Sequence, residues 1–274
     1  MTSSAADAVP ACPPRQCVAL SHGNLSYRSC GSGETIVFLH GLLGSSRSWA
    51  FQLDHFGATR RAIAWDAPGY GQSDLVPTAI DAYAQALREF LAAVGVEQAV
   101  VVGHSMGGTV AARLAAQHPE LVSRLVLSCS HPGYAAPETT PMPPKFEQRM
   151  RELTQLGRAA YGEARAKDLL PMPVPAAIRA YAAEVAAETE PEGLRRATRM
   201  LQLADNRALL PALHMPLLVL TGEIDTTVMP ALKADLLRLT AQARHIEMPG
   251  VAHAPYFQVP GVYNDRIDDF LSDK

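Results

Sequence analysis

Residues 100–115 read VVVGHSMGGTVAARLA, and the reading of this stretch decides the fold. Ala99 to Val102 form an apolar, β-branched run of the kind found in a buried strand. Gly103, His104, Ser105, Met106, Gly107 and Gly108 follow, and an alanine-rich helical run continues to Gln117. The stretch is therefore a strand, a sharp turn and a helix, with Ser105 at the apex of G-x-S-x-G. Such a turn holds its serine in a strained conformation and needs small neighbours, because side chains at 103 or 107 would clash with the strand or the helix. The Ser105 hydroxyl is expected above the sheet edge. The Met106 N–H, at the start of the helix, is left free to donate to an anion. The bland reading is a strand–helix turn whose serine caps the helix; the placement after a β-branched strand and before a helix favours a nucleophile.

Outward from this unit, strand-like and helix-like segments alternate. TIVFL at Thr35–Leu39 reads as a fully buried strand and runs into His40, Gly41, Leu42, Leu43 and Gly44. Arg47–Phe56 reads as a short helix. Ala62–Trp65 reads as a strand entering Asp66-Ala-Pro-Gly-Tyr-Gly-Gln-Ser73, where Pro68, Gly69 and Gly71 supply turn chemistry. No Lys-Ser/Thr pair follows, so this is not a phosphate loop. Ile80–Val94 has apolar residues at helical spacing, and Arg124–Cys129 is another apolar strand. Cys17–Leu20 and Asn24–Ser29 suit an opening hairpin.

Residues 131–144 are proline-rich, and Lys145–Asn206 is charged, alanine-rich and helical, broken at Pro171, Pro173, Pro175 and Pro191. An all-helical insertion of three to five helices between two strands reads as a cap. Met142, Phe146 and Tyr161 are candidates for its pocket face, and equally for its own core. Pro216–Thr221 resumes the sheet and leads into Gly222-Glu223-Ile224-Asp225-Thr226. Met229–Leu239 is a helix and Ala243–Met248 the last strand. Pro249–His253 is the loop after it, and Val259–Leu271 the closing helix. The expected organisation is a mobile tail over residues 1–16, an α/β core over 17–133 and 207–274, and a helical cap over 134–206.

Strands alternating with helices give an α/β fold with a mostly parallel, twisted sheet covered by helices on both faces, and ligands collect past the carboxyl ends of its strands. Leu42, Ser105, Asp225 and His253 all fall in such loops. The G-x-S-x-G turn, the HG pair after the first buried strand, the D-x-P-G-x-G-x-S segment, and the order nucleophile, acid, histidine together resemble the α/β-hydrolase superfamily. The resemblance spans roughly residues 20–272.

It implies a serine hydrolase in which Ser105 attacks, His253 takes the proton and Asp225 orients the ring. The backbone N–H groups of Leu42 and Met106 would form the oxyanion hole. His40 then braces its loop. Glu223 is the competing acid; the family's G-x-x-D segment favours Asp225. Of the other histidines, His104 is expected on the far side of the elbow. His118 ends a helix, and His22, His55, His214 and His245 lie before or within regular elements. Within the cap, KFEQRMREL and RMLQLADNRALL resemble the 3-oxoadipate enol-lactonase group of aromatic catabolism. The substrate this implies is a small carboxylic ester or lactone, cleaved through an acyl-enzyme. One alternative is C–C hydrolysis of a meta-cleavage ring-fission product, although those enzymes usually carry Asn where this chain has His104. A non-catalytic ligand receptor on the same fold is the alternative of another class.

Composition narrows the rest. The 274 residues carry a net charge of −3, with 48% hydrophobic and 19% charged residues. A sizeable core is expected, and neither nucleic acid nor a membrane surface is an expected partner. No stretch reads as a signal peptide or membrane span. Cys12, Cys17, Cys30 and Cys129 show no metal spacing, which with the absence of a leader points to a reducing cytoplasm. No cofactor and no metal are expected: there is no H-E-x-x-H, no Cys/His cluster, and no G-x-G-x-x-G after the first strand. The expected partner is a small-molecule substrate, and the oligomeric state, homo-oligomer included, stays open.

Overall fold

The computed structural model describes residues 8–273. Strands form where the sequence is most apolar. Thr35–Leu39 (β3) and Ala99–His104 (β5) are buried at every position, as strands covered on both faces must be. Around them lie Arg15–Leu20 (β1), Gly23–Cys30 (β2), Arg61–Trp65 (β4), Val122–Ser128 (β6), Leu217–Gly222 (β7) and Arg244–Met248 (β8). The eight strands make one sheet in the order β1-β2-β4-β3-β5-β6-β7-β8. β1 pairs antiparallel with β2, and β2 with β4; from β4 to β8 all neighbours are parallel, with Ile36 beside Val100 and Val102 beside Val126.

Alternation along the central strands divides the core in two. Val37, Leu39, Ile63 and Val101 face Ile80–Ala93 (α2) and Met106–Gln117 (α3), packing with Leu87, Phe90, Val110 and Leu114. Ile36, Phe38, Val100 and Val102 face the other way, against Trp49, Phe56, Tyr263 and Ile267. These come from Ala50–Gly57 (α1) with the tight turn before it, and from the C-terminal helix. Each such side chain taken from water contributes about 1.5–3 kcal/mol, so the central strands are fixed in place by both layers.

Four helices are inserted between β6 and β7: Pro144–Gln155 (α4), Arg158–Leu169 (α5), Ala176–Ala187 (α6) and Pro191–Leu203 (α7). α7 rests on the D-x-P-G loop. A Cβ on Gly193 would lie 2.0 Å from the Gly69 carbonyl oxygen, so only glycine allows this approach. Ion pairs tie the insertion to the core, with Arg47 reaching Glu188 at 2.7 Å and Glu184 at 2.9 Å. The chain ends with Pro230–Leu239 (α8), Pro255–Gln258 (α9) and Pro260–Ser272 (α10). Among the described residues no helix is long and apolar enough to cross a membrane, and all four cysteines are free.

Four local expectations are corrected. The hairpin begins at Arg15, not Cys17, because the Arg15 guanidinium is drawn to the buried Asp66 carboxylate at 3.1 Å. The expected mobile tail over 1–16 is therefore too long at its inner end: Val9 packs on the core and the Cys12 thiol lies 3.1 Å from the Tyr181 hydroxyl. Residues 1–7 of that tail lie outside the described residues. Cys129 falls just past β6 with φ of 44°, a left-handed turn rather than a strand end. The closing helix starts at Pro260 rather than Val259, since the residue before a proline is pushed out of the helical region.

Candidate active site

The carboxyl ends of β3, β5, β7 and β8 meet at one point. At the end of β5 the chain turns through Ser105, whose φ of 52° and ψ of −115° are strained for a residue with a side chain. The turn survives because its neighbours are glycines. A Cβ on Gly107 would lie 2.2 Å from the Leu39 carbonyl oxygen, and one on Gly103 would lie 2.5 Å from the Gly107 oxygen. Ser128 O, accepting from the Ser105 N–H at 2.9 Å, and Ser130 Oγ, donating to the Ser105 carbonyl at 2.8 Å, hold the strained residue from both sides.

The loop after β8 brings His253 to this serine, with Nε2 3.2 Å from Ser105 Oγ. The loop after β7 brings Asp225, whose Oδ2 lies 2.8 Å from His253 Nδ1. Its other oxygen accepts the Thr227 N–H at 2.8 Å and the Val228 N–H at 3.3 Å. Burial alone would push the Asp225 carboxyl up; the His253 hydrogen bond and these N–H donors outweigh it and hold the pKa below the ordinary carboxylate value. An ionised Asp225 only accepts, so His253 Nδ1 carries the hydrogen and Nε2 presents a lone pair to the serine. Glu223, the competing acid, turns away and accepts the Gly250 N–H at 2.7 Å.

The Gly41–Leu42 peptide is oriented by its own loop. The Gly41 oxygen accepts the Gly44 N–H at 3.0 Å and the His40 Nδ1–H at 2.8 Å. In a trans peptide the N–H opposes the carbonyl, so the Leu42 N–H faces away from the turn. His40 Nε2 accepts the Ala67 N–H at 2.9 Å, and burial lowers its pKa, so the ring is a neutral brace between two loops. The loop passes close to the elbow: a Cβ on Gly41 would lie 3.2 Å from Ser105 Cβ. Among the described residues neither the Leu42 nor the Met106 N–H finds an acceptor, leaving both for a ligand.

Two further histidines complete the surroundings. His104, expected on the far side of the elbow, instead lies with its ring 4.7 Å from the His253 ring, tilted by 57°, and donates from Nε2 to the His253 carbonyl at 2.7 Å. The strained turn swings the preceding side chain under the histidine loop. Burial, with His253 beside it, pushes the His104 pKa down to about 3. His131, absent from the sequence-based choice of site residues, also lines the cavity; burial first, and then the His253 charge, lowers its pKa to about 4. Its Nδ1 accepts the Gly133 N–H at 3.1 Å, so Nε2–H is a free donor. The available signal was its position just past the carboxyl end of β6.

The cavity over Ser105 and His253 has a volume of about 330 Å³, small for a ligand site. Leu42, Tyr134, Leu201 and Val228 give it apolar walls, and Lys145, Phe146 and Arg149 come from α4. Tyr161 lies in the core of the inserted helices instead, wholly buried, and Met142 does not line the cavity, although Pro143 does. Ligand atoms of Cys129, Asp225 and His253 lie within 4.8 Å of one another. That trio does not fit a metal: Asp225 and His253 are hydrogen-bonded to each other, and burial drives the Cys129 thiol far above its ordinary pKa, away from the thiolate a metal requires.

The comparisons agree with this architecture. The family model described as alpha/beta hydrolase fold matches residues 34–260. The dihydrolipoyllysine-residue acetyltransferase component of the acetoin cleaving system of Cupriavidus necator is 41% identical over 102 residues, which are 36% of this chain and 27% of that protein. The chain thus spans about a quarter of that relative's length. The pimeloyl-[acyl-carrier protein] methyl ester esterase of Vibrio vulnificus is 28% identical over 263 residues, covering 90% of this chain and 98% of the esterase. The crystal structure of the enol-lactonase from Burkholderia xenovorans superposes with a TM-score of 0.82 at 23% identity, over 94% of this chain and all of the other. With a matching model over most of its length and the sheet, elbow and loop order just described, the chain belongs to the alpha/beta hydrolase fold family.

Proposed function

We propose that this protein is a serine hydrolase that cleaves a small carboxylic ester or lactone through an acyl-enzyme. The observation that carries the reading is the chain of contacts from Ser105 Oγ to His253 Nε2 at 3.2 Å and from His253 Nδ1 to Asp225 at 2.8 Å, on a strained elbow open to the cavity. Similarity to an ester hydrolase over nearly the full chain lends it support.

In this reading Ser105 Oγ attacks the carbonyl carbon as His253 Nε2 takes its proton. The carbonyl oxygen becomes an anion between the Leu42 and Met106 N–H groups, each worth about 10²–10³ in rate. The C–O bond to the leaving group breaks, and His253 returns the proton to the departing oxygen. In a lactone that oxygen stays tethered to the acyl group. Water, deprotonated by His253, then attacks the acyl-enzyme, and the carboxylic acid leaves as Ser105 regains its proton. Asp225 keeps the ring in the required tautomer throughout and stabilises the imidazolium.

The test is hydrolysis of p-nitrophenyl esters from acetate to octanoate by the wild type and Ser105→Ala, with fluorophosphonate labelling of both. Turnover of short esters and labelling, both lost in Ser105→Ala, are expected. Full activity in Ser105→Ala would refute the reading.

A further inference from the structure

We propose that His131 is a further catalytic residue, whose Nε2–H donates a hydrogen bond to the leaving oxygen and suits the site to esters and lactones of aliphatic alcohols; this deepens the serine-hydrolase reading and rests on it. His131 stands just past the carboxyl end of β6, only 4% exposed, and lines the cavity over Ser105. The Gly133 N–H occupies its Nδ1 at 3.1 Å, which puts the ring hydrogen on Nε2. Among the described residues that hydrogen meets no acceptor, although a donor buried so deeply ordinarily has one. The donor is also held in place before any ligand arrives. Thr109 Oγ1 donates to the His131 carbonyl at 2.9 Å, the Asn206 N–H to the Pro132 carbonyl at 2.8 Å, and the Tyr134 ring packs edge-on at 4.9 Å.

The strand order decides which substrate atom this donor meets. β3 flanks β5 on one side and β6 flanks it on the other. Leu42 follows β3, so the oxyanion is drawn to the side of Ser105 away from His131. The leaving oxygen must instead meet His253 Nε2, which returns the proton to it. His131 is on that side of the serine: after burial, the His253 charge is what lowers its pKa most. An oxygen between the two histidines has two lone pairs to offer. As the C–O bond breaks, its electron pair moves to this oxygen. One lone pair takes the proton from His253 Nε2, and the other accepts the His131 Nε2–H bond. His131 keeps its own hydrogen throughout and acts as a fixed dipole at the developing charge, in a site shielded from water. The need for such a donor grows with the basicity of the leaving oxygen. A nitrophenolate departs without it, whereas an aliphatic alkoxide does not.

The experiment measures kcat/KM for p-nitrophenyl butyrate and ethyl butyrate, which share an acyl group and differ in the leaving oxygen, with the wild type, His131→Leu and His131→Gln. The ratio of the two values reports only on folded enzyme and on the step in which the leaving group departs. Leucine removes the donor, and the glutamine amide restores one. His131→Leu is expected to lose about tenfold or more on the ethyl ester and less than about threefold on the nitrophenyl ester, with His131→Gln recovering most of the loss. Should His131→Leu fail to fold, His131→Phe refills the volume of the ring without a donor and supplies the same comparison. An equal loss on both esters, as a merely structural residue would give, overturns this inference and leaves the hydrolase reading standing. So does no loss on either ester, or a wild type that turns over the nitrophenyl ester and not the ethyl ester. No turnover of either ester by the wild type, with Ser105 unlabelled by fluorophosphonate, overturns both.

Discussion

Replacing Asp225 by Asn tests the proposed chemistry through one proton. Oδ1 of Asp225 accepts two backbone N–H groups, from Thr227 and Val228, while Oδ2 accepts from His253 Nδ1. In Asp225→Asn the amide oxygen stays with the two N–H donors, because the flipped amide would set its NH2 against both, at a cost of about 1–3 kcal/mol for each buried donor left unmade. The NH2 group therefore faces His253 Nδ1. Two donors cannot share that contact, so Nδ1 becomes the acceptor and the hydrogen moves to Nε2. Nε2 then points a hydrogen at Ser105 Oγ, 3.2 Å away, and cannot take its proton. A wrong-tautomer histidine of this kind costs about 10⁴ in kcat, or about 5 kcal/mol of transition-state stabilisation at about 1.36 kcal/mol per decade. The assay is kcat on p-nitrophenyl butyrate at pH 7, with a thermal melt to show that the variant is folded. A folded Asp225→Asn enzyme within tenfold of the wild type would refute the reasoning.

The other predictions concern the elbow and its histidines. In Gly107→Ala the new methyl would meet the Leu39 carbonyl oxygen at 2.2 Å; overpacking of about 1–3 kcal/mol should lower the melting temperature by at least about 2 °C, and an unchanged melt would contradict the packing described. His104→Phe keeps the ring but removes the Nε2–H bond to the His253 carbonyl; kcat should fall about tenfold with KM little altered, as expected of a residue that positions the base, and a rise confined to KM would assign His104 to substrate binding instead. Stability should fall in mild acid. The pKa values of His104 and His131 are lowered to about 3 and about 4 in the folded protein, so between those values and about 6.5 the unfolded chain binds more protons. The cost of keeping each ring neutral is absent above about pH 6.5 and grows as pH falls toward the folded pKa, to about 2 kcal/mol per histidine at pH 5. Asp225, lowered below its ordinary value, adds a loss only below about pH 4. A melting temperature that stays flat from pH 7 to pH 5 would refute this.

The elements readable in the sequence are those whose local chemistry has one solution. The elbow is legible because Gly103, Ser105 and Gly107 sit where a Cβ would strike backbone within 2.5 Å or φ is positive. The central strands are legible because they are apolar almost throughout, with only Thr35 at the start of β3 and Gly103-His104 at the end of β5 departing from the pattern. Boundaries set by distant partners are not. Arg15 joins the sheet because of Asp66, fifty-one residues away along the chain, and no local pattern announces that. Nor could the position of His104 be read, since it depends on the His253 loop crossing above it. The inserted helices were legible as helices, but the side chain each presents to the cavity follows from their packing: Tyr161 and Phe146 are both aromatic, yet the first fills the helical core and the second faces the site.

The site concentrates what folding alone disfavours. A serine at positive φ and three buried neutral histidines, His40, His104 and His131, stand within one region. Strain at a single left-handed residue costs about 1–3 kcal/mol, and a buried neutral histidine adds a pH-dependent cost. The two apolar layers on the sheet are large enough to carry these terms. Each disfavoured feature also has a use that the others need. The strain lifts Ser105 to His253, His104 fixes the carbonyl of that histidine, and His40 turns the Leu42 N–H outward.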